Sequence, residues 1–504
     1  MVFDIASEKP SSEVEEAYAP ENFELFAEIC TQKITEYLKK NIYEPENNPV
    51  FSLGLTPQKA EQRFSEWLDS TNSVPAGEQF SSFIDLILEN SMHLHHPHYV
   101  GHQVAPVLPL AAVVDMLAAI LNNSSVVFEM GPMEAVLEKY MIRFFANRMG
   151  WIGADSPKFG GFFTSGGSLG NLSALLAARN RVVQEQGALP GTLGVIVSEE
   201  SHYSIIRSLR IMGISDAHIF KVSSREITQS ALKESLEAAR ENGISIFATI
   251  VNACSTATGT FDNIQEAVKF CEQEKIWLHV DAAHGGAAVL SDRLRSLLKG
   301  IERADSIIID AHKMMLMPAL LTAVIFRDCK DPARSCPDNA AFLFDDAQEN
   351  DWYTLGRQTL ECTKKMMVLK LFISVHLYGE KFFADYVEHC YDLGQCFYDL
   401  LNRSTSLEPL KRPEFNIVCF RVKHGNTALQ LKIRDALLSQ GEFYIVSAGI
   451  LGETYLRCTI INPRTTETVL RALIKRVEEL ASSYRHNTML SSSGVVTCSA
   501  GALN

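Results

Sequence analysis

A lysine and an aspartate follow two apolar segments in the middle of the chain. Asp281 comes after WLHV, and Lys313 comes after SIIID within the segment Asp310-Ala-His-Lys. An acid at the carboxyl end of a parallel strand lies where such sheets bind ligands, although an aspartate there can also simply cap a helix. The apolar residues after Lys313, MMLMPALL, disfavour its ammonium form and favour a nucleophilic amine. A lone lysine is usually solvated, so this pattern alone does not establish catalysis.

A glycine-rich turn, Thr164-Ser-Gly-Gly-Ser-Leu-Gly-Asn171, follows another apolar segment and opens a helical pattern. Glycines let a ligand approach the backbone, and the first amides of a helix hold phosphate, so this turn predicts a phosphate site. The same residues match G-x-S-x-G, the nucleophile elbow of serine hydrolases, with Asp281 and His312 following in the order of a catalytic triad. A plain strand–helix turn is the third interpretation.

Histidines crowd the segment at positions 93, 95, 96, 98 and 102. Pro97 breaks any helical face there, and no acidic or cysteine ligand is spaced with them, so the pattern predicts no metal site. We expect His98 or His102 to line a pocket instead.

Composition excludes several classes of protein. With 46 Lys and Arg against 60 Asp and Glu, the net charge of −14 disfavours nucleic acid as a partner. The eleven cysteines include no CxxC pair, which favours a reduced, cytoplasmic protein over a disulfide scaffold. The acidic start lacks the apolar core of a signal peptide. Residues 104–121 are apolar, but Asp115 interrupts them, so we predict a buried helix and no membrane span.

The elements that must position these residues alternate between strand and helix. After Gly150, short apolar runs (GGFFTS, LGVIV, AHIFKV, ISIFATIV, WLHVD, SIIID and LTAVIF) are separated by helical periods, a pattern typical of a mostly parallel α/β sheet. A long helix is predicted over about 356–378, and the final third is an α+β pattern. We therefore divide the chain into an N-terminal helical segment at 1–104, a large domain at 105–378, a small domain at 379–482 and a loose tail at 483–504.

Four motifs together carry a specific resemblance. TSGGSLGN, SHYS, DAAHGG and DAHK occur in the order found in the group II pyridoxal-phosphate-dependent amino-acid decarboxylases, and the similarity runs from about His96 to Pro463. That family includes glutamate, cysteine-sulfinate, aspartate, diaminobutyrate and aromatic amino-acid decarboxylases. The resemblance implies the fold type I, aspartate-aminotransferase-like architecture, with a pyridoxal 5'-phosphate-binding large domain and a small α+β C-terminal domain. It also implies that the glycine-rich turn is a phosphate cup.

The resemblance assigns roles to the residues singled out above. Lys313 would carry the cofactor covalently, and Asp281 would pair with its ring nitrogen, so that the protonated ring can accept electrons. Ala283 would pack on one face of the ring. His202 would stack on the other and help to place the carboxylate that is lost.

The remaining assignments concern the phosphate and the substrate. Gly167, Ser168 and His312 would hold the phosphate, and Thr256 would lie near the ring. Arg457, in YLRCTIINP, would bind the substrate α-carboxylate, for which a planar guanidinium is suited. Without the resemblance, Arg457 would be taken for a surface arginine on a strand.

Two positions depart from the family pattern. Asp310 stands where many members have Asn, and because a carboxylate repels phosphate, we expect it to turn away or to bond a backbone amide. Phe342, in FLF, aligns with a loop tyrosine thought to protonate the α-carbon after CO2 leaves, and phenylalanine has no proton to donate. His202 or Tyr353 would then have to supply that proton. Aldehyde synthases of this family resemble decarboxylases with this replacement.

The activity implied is decarboxylation of an L-amino acid to an amine and CO2 by a homodimer in which residues 329–345 cross to the partner site. Lys313-Met-Met resembles the glutamate and cysteine-sulfinate branch, which favours a small acidic substrate: glutamate, aspartate or cysteine sulfinate. Diaminobutyrate and aromatic substrates remain alternatives, as do an oxidative aldehyde synthase, a serine hydrolase acting through Ser168 and a cofactor-binding protein without turnover.

Overall fold

The fold was analysed in a computed structural model that describes residues 12–71, 74–151, 159–337 and 352–492. These ranges contain a large α/β unit, a smaller α+β unit and helices that precede both. No helix within them combines the length and hydropathy that crossing a bilayer requires.

The N-terminal helices form a layer beside the rest of the chain. They are α1 (Ser12–Ala17), α2 (Pro20–Tyr43), α3 (Pro57–Thr71) and α4 (Ala76–Glu89). Helices α2 and α4 pack together through Phe26 and Phe80, whose ring centroids are 5.1 Å apart, and through an ion pair of Lys33 with Asp85 at 2.6 Å. This layer leads to Tyr99, which pairs with Tyr444 of the small domain.

A seven-stranded sheet forms the core of the large domain. Its strands are β1 (Gly160–Thr164), β2 (Leu193–Ser198), β3 (Ile219–Val222), β4 (Ser245–Asn252), β5 (Trp277–Asp281), β6 (Ser306–Asp310) and β7 (Thr322–Phe326). The strand order is β1-β7-β6-β5-β4-β2-β3, and β7 is antiparallel to both of its neighbours, whereas the other pairs are parallel. The predicted fold class, a mostly parallel sheet, is therefore confirmed.

Helices cover both faces of this sheet, which explains why its strands are apolar runs rather than alternating ones. They are α5 (Pro109–Leu121), α6 (Pro132–Arg148), α7 (Gly167–Gln186), α8 (Tyr203–Ile211), α9 (Gln229–Glu241) and α10 (Ile264–Glu274). Strands β5 and β6 are buried along their whole length. They end in Asp281 and Asp310, so both carboxylates lie at the same edge of the sheet.

The small domain packs a four-stranded sheet against three helices. The strands, β8 (Leu407–Pro409), β9 (Ile417–Val422), β10 (Val446–Ile450) and β11 (Glu453–Thr459), are antiparallel in the order β10-β11-β9-β8. The helices are α11 (Leu369–Asn402), α12 (Thr427–Ser439) and α13 (Glu467–Ser492). Gly379 has φ 76° and ψ 161° and breaks α11, next to the predicted domain boundary.

The helix predicted over 356–378 was wrong at its start. Residues 352–368 are not α-helical, and α11 begins at Leu369. Lys364 explains the difference: its amide bonds the Ser124 hydroxyl at 3.3 Å, and its buried ammonium pairs with Glu138 at 2.6 Å. These long-range partners hold the segment in an irregular, non-α-helical conformation.

Two other expectations need correction. Helix α5 is not buried, because Val113, Met116, Leu117 and Ile120 are exposed along it. The tail was predicted to be loose from 483, but α13 continues to Ser492 because Tyr484 still packs against the small-domain core.

Candidate active site

A cavity of about 340 Å3 lies at the carboxyl ends of the parallel strands. Eight predicted site residues line it: Gly167, Ser168, His202, Thr256, Asp281, Ala283, His312 and Lys313. They come from five different strand ends or the turns that follow them. The fold thus brings together residues that lie up to about 150 positions apart in the sequence.

Asp281 is buried and held in place by two hydrogen bonds. Its Oδ2 accepts from Asn171 Nδ2 at 2.9 Å, and its Oδ1 accepts from the Ala283 amide at 3.1 Å. Asn171 Oδ1 in turn bonds His279 Nε2 at 2.9 Å, and burial lowers the pKa of His279 to about 4. A neutral His279 must therefore donate its Nε2 hydrogen to Asn171, which fixes the orientation of the amide that donates to Asp281.

His202 precedes helix α8 and faces the same cavity. Its Nδ1 accepts from the Ser204 amide at 3.3 Å and lies 2.8 Å from the Ser204 hydroxyl. Burial lowers the pKa of His202, so the ring is neutral near pH 7. With Nδ1 as the acceptor, Nε2 carries the hydrogen. Ser204 also accepts from Asn171 at 3.0 Å, which links the histidine to the Asp281 network.

Lys313 is paired with Asp310, which corrects two expectations. The two side chains meet at 2.8 Å, and Asp310 also accepts from the Thr322 hydroxyl at 2.6 Å. Asp310 thus neither turns away from the site nor bonds a backbone amide. Burial favours a neutral amine, as expected from the apolar sequence, but Asp310 outweighs burial and raises the pKa of Lys313.

The glycine-rich turn forms the N-terminus of α7 beside this ion pair. Gly166 has φ 108°, a conformation that other residues rarely adopt, and Gly167 begins the helix. A Cβ on Gly167 would lie 3.1 Å from each carboxylate oxygen of Asp310. The amides at this end of α7 have no partners within the helix, so they can receive an anion.

Arg457 on β11 is buried, with 4% of its surface exposed. Its Nη1 donates a long bond of 3.4 Å to the Gly101 carbonyl, whereas Nε and Nη2 have no hydrogen-bond partner among the described residues. Burial lowers its pKa, an effect that the nearby thiols of Cys419 and Cys254 oppose. A buried guanidinium with two unsatisfied nitrogens is suited to a carboxylate.

The two histidines expected at the pocket lie elsewhere. His98 Nδ1 bonds the Glu442 carbonyl at 2.8 Å, and its ring stacks on Phe443 at 4.2 Å. His102 is exposed and lies 5.7 Å from the Tyr444 ring. Neither belongs to the described cavity lining.

Of the two candidates for the α-carbon proton, His202 belongs to the described cavity lining and Tyr353 does not. Phe342 lies outside the described residues. The ring of Tyr353 packs against Phe128 at 5.4 Å and is not part of the described lining.

The hydrolase alternative finds no triad in this geometry. The described bonds of Asp281 go to Asn171 and Ala283, and His312 Nδ1 lies 3.0 Å from the Leu321 carbonyl oxygen and 3.2 Å from the Leu321 amide nitrogen. His312 Nε2 faces Asp310 instead, at 3.6 Å. The described residues also contain no cluster of three or more His, Cys, Asp or Glu placed to hold a metal ion.

Comparison with known proteins decides between the remaining interpretations. The family model described as the pyridoxal-dependent decarboxylase conserved domain matches residues 79–423, more than half of the chain. The chain belongs to this family. The resemblance found in the sequence is thereby confirmed, and the protein is a pyridoxal-phosphate-dependent amino-acid decarboxylase, a lyase.

The similar proteins act on different amino acids. An aromatic-L-amino-acid decarboxylase of Bacillus atrophaeus is 26% identical over 442 residues, covering 83% of this chain and 90% of that protein. An aspartate 1-decarboxylase of Aliivibrio fischeri is 23% identical over 508 residues, covering 90% of each. The crystal structure of Oryza sativa TDC with PLP and tryptamine has the same fold, with a TM-score of 0.83, 19% identity and coverage of 93% of this chain and 99% of that one.

The decarboxylase cavity fits pyridoxal phosphate on its own geometry. Asp281 is a buried carboxylate able to pair with a ring N–H, and Lys313 lines the same cavity with an amine that could react with an aldehyde. Gly167 and Ser168 line the cavity at the start of α7, where the free backbone amides offer a place for phosphate. When bound, the cofactor supplies an electron-withdrawing ring that receives the electron pair released when CO2 leaves.

Several cavity residues had escaped the sequence analysis. Asn171, Ser204, Cys254, His284 and Leu320 all line the cavity. Asn171 stood within the glycine-rich motif, as the fifth residue of α7, and its place in that motif was a signal that it could face the sheet edge. Cys254 has φ 73°, a conformation that the sequence alone does not reveal.

Proposed function

We propose that this decarboxylase removes the α-carboxylate of a small acidic L-amino acid, namely glutamate, aspartate or cysteine sulfinate. The observation that carries the proposal is the convergence of Lys313, Asp281 and His202 in one small, polar cavity. Its volume of about 340 Å3 must hold both cofactor and substrate, which favours a small amino acid. Leu320 is the one large aliphatic side chain in the described lining, which gives little support to an aromatic substrate.

Each residue then has a task that its surroundings support. Lys313 carries the cofactor, and Asp281, oriented by Asn171, keeps the ring nitrogen protonated. Ala283 and the neutral His202 enclose the ring. Gly167, Ser168 and His312 hold the phosphate, with Thr256 at the exposed rim of the cavity.

Arg457 lies outside the described cavity lining but close to Cys254, which belongs to it, and we assign Arg457 to the substrate. Its unpaired nitrogens would donate hydrogen bonds to the α-carboxylate and so orient the bond from Cα to the departing carboxyl group. That bond breaks, CO2 leaves, a proton is added at Cα, and the amine is released. His102, exposed beside Arg457, remains a candidate contact for a distal carboxylate, whereas the bonds of His98 do not support that role.

An amino-acid panel tests the substrate class. Purified enzyme loaded with pyridoxal phosphate is given glutamate, aspartate, cysteine sulfinate, diaminobutyrate, phenylalanine and tryptophan, and CO2, amine, aldehyde and peroxide are measured together. We expect the highest kcat/KM with one of the acidic substrates and none with Lys313→Ala. A preference for diaminobutyrate or an aromatic amino acid would refute the substrate assignment but leave the decarboxylase family intact.

Phe342 supports one alternative product. Without a loop hydroxyl, slow protonation of the α-carbon would allow oxygen to react, and the amino acid, O2 and water would give aldehyde, CO2, ammonia and hydrogen peroxide. Peroxide in equal amounts to CO2 in the panel would favour this aldehyde synthase activity. Amine in equal amounts to CO2 would exclude it.

We also propose that the protein is a homodimer. Helix α5 exposes Val113, Leu117 and Ile120, and exposed apolar side chains of this kind mark protein–protein contacts. Leu320 is half exposed and lines the cavity, so a partner that also covered Leu320 would close the active site. Light scattering should give twice the chain mass of 56.0 kDa, and Leu117→Lys should lower it. A monomer that retains full activity would refute the proposal.

A cytoplasmic location is the last part of the proposal. Buried free thiols such as Cys254, Cys390 and Cys458 are suited to a reducing compartment. Fractionation of cells that express the protein tests this directly.

A further inference from the structure

Asp310 is a buried carboxylate that the family chemistry does not use. It ends β6, 3% of its surface is exposed, and its two oxygens are shared between three neighbours. Oδ2 lies 2.8 Å from Lys313 Nζ and 3.6 Å from His312 Nε2, while Oδ1 accepts from Thr322 at 2.6 Å. These contacts fix the carboxylate directly in front of the lysine amine.

The same carboxylate also faces the phosphate cup. A Cβ on Gly167 would touch both of its oxygens at 3.1 Å, so Asp310 lies against the first residue of α7. In this position it lies beside the first amides of α7, which would receive the phosphate, while Glu361 reaches the preceding Ser165 amide at 3.4 Å. The charge of Asp310 therefore opposes the phosphate while it attracts the lysine.

The other titratable groups around the pair leave Asp310 negative and Lys313 positive. His202, His284 and His312 face the pair, as does Asp281, and burial lowers the pKa of His284 to about 3 and that of His202 below its ordinary value. Burial alone would raise the pKa of Asp310, but Lys313 and His312 hold it below its ordinary value. Asp310 and Lys313 are thus an anion and a cation near pH 7.

We propose that Asp310 is a positioning residue that holds the Lys313 amine in an ion pair until the cofactor arrives, and that this pair limits how fast the protein takes up cofactor. The inference rests on the proposed role of Lys313 as the cofactor-carrying residue. It goes beyond that role because it assigns Asp310 to cofactor uptake rather than to turnover.

The chemistry by which pyridoxal phosphate attaches to Lys313 explains why the ion pair limits the rate of uptake. The Lys313 ammonium must first release one proton to solvent, because only the neutral amine attacks a carbonyl carbon. Nζ then forms a carbon–nitrogen double bond to the aldehyde carbon of pyridoxal phosphate, and the aldehyde oxygen leaves as water with the two remaining amine hydrogens. By stabilising the ammonium, Asp310 keeps the reactive amine scarce at neutral pH.

The test compares cofactor uptake by cofactor-free enzyme and by Asp310→Asn. Pyridoxal phosphate is mixed with each protein between pH 6 and pH 9, and the covalent adduct is followed by absorbance and trapped with borohydride for mass measurement. Each unit by which the pKa of Lys313 falls raises the neutral amine about tenfold, so we expect uptake at pH 7 to be at least about tenfold faster in Asp310→Asn. The rise of rate with pH should also move to lower pH.

Asp305→Asn is the matched control. Asp305 immediately precedes the other end of β6 and pairs with Arg327 at 2.7 Å, far from the lysine. The pH profile of cofactor uptake by Asp305→Asn should match that of the unchanged protein. If Asp310→Asn does not fold, Thr322→Val removes only the hydroxyl that orients Asp310, and it should accelerate uptake in the same direction by a smaller factor.

Pyridoxal, which lacks the phosphate, separates the two effects of Asp310. If the pair with Lys313 governs uptake, Asp310→Asn accelerates the reaction with pyridoxal as well as with pyridoxal phosphate. Acceleration with pyridoxal phosphate alone would overturn the proposal, because the carboxylate would then act only on the phosphate. Identical or slower profiles for Asp310→Asn would overturn it too. A borohydride adduct that survives in Lys313→Ala would instead refute the proposed function of Lys313 itself.

Discussion

Replacing Arg457 with methionine should weaken substrate binding without weakening the fold. Methionine keeps an unbranched side chain of similar reach but removes the guanidinium. In the structure this group is buried at 4% exposure, makes one long bond to the Gly101 carbonyl, and leaves Nε and Nη2 without a described hydrogen-bond partner. The guanidinium is therefore already removed from water before substrate binds, so substrate binding adds no further desolvation cost for this group.

The expected loss of binding free energy follows from the two unpaired nitrogens of Arg457. Each hydrogen bond to a charged partner contributes about 1.5–3 kcal/mol, and a bidentate contact shares one carboxylate, so we expect a loss of about 3 kcal/mol. That loss corresponds to an increase in KM on the order of 100-fold. Because the α-carboxylate is common to all amino acids, every substrate should be affected to a similar extent.

The stability of the variant provides an independent measurement. Removing an unpaired buried charge is neutral or stabilising, so the free energy of unfolding of Arg457→Met should stay the same or rise by about 1 kcal/mol. Steady-state kinetics with the best substrates and urea unfolding of the cofactor-free protein measure the two effects. Arg421→Met is the control, because Arg421 lies on the neighbouring strand β9 and pairs with Glu408 at 2.6 Å near the surface.

Three results would refute this reasoning. A KM within threefold of normal would show that Arg457 does not bind the carboxylate. A rise in KM confined to one substrate would place Arg457 at the substrate side chain instead. Loss of several kcal/mol of stability would show that the guanidinium has a structural partner.

Three further predictions concern other parts of the molecule. Asp281→Asn should still bind cofactor but lose at least about 100-fold in kcat, because an amide cannot hold the ring nitrogen protonated; near-normal turnover would remove Asp281 from this role. Phe342→Tyr should raise the amine-to-aldehyde ratio if residue 342 faces the α-carbon, and an unchanged ratio, with both products measurable, would show that it does not. Burial and Glu138 raise the pKa of Glu134 from 4.5 to about 8, so the folded chain keeps a proton that the unfolded chain releases, and stability should fall as pH rises through that window. Glu134→Gln should flatten this part of the stability profile, and an unchanged slope would contradict the assignment.

The sequence predicted most of the fold because its signals are local. The strands ending in Asp281 and Asp310 are short apolar runs, and such runs separated by helical periods are typical of a covered parallel sheet. The predicted helix over 356–378 failed where local signals are weakest. Its sequence is compatible with a helix, but the buried Lys364 finds Glu138 more than 200 positions away, and no periodicity contains that information.

In the candidate site, too, local motifs predicted some features and only the folded chain revealed the others. Sequence motifs determined which residue types are present and that they belong to a pyridoxal-dependent decarboxylase, because each motif is a strand end with its following turn. They also located Lys313, Asp281 and His202, since the carboxyl ends of parallel strands meet at one edge of a sheet.

Only the tertiary structure decided how these residues affect one another. Apolar neighbours in the sequence predicted a neutral Lys313, yet the turn after β6 brings its amine 2.8 Å from Asp310, and a buried counter-charge outweighs desolvation. Likewise, Arg457 is an ordinary strand residue in the sequence, and folding buries it against the carbonyl of Gly101, 356 positions earlier. Charge and hydrogen bonding depend on distances in space, so the protonation of the lysine and the unmet bonds of the arginine follow from the folded chain and not from residue order.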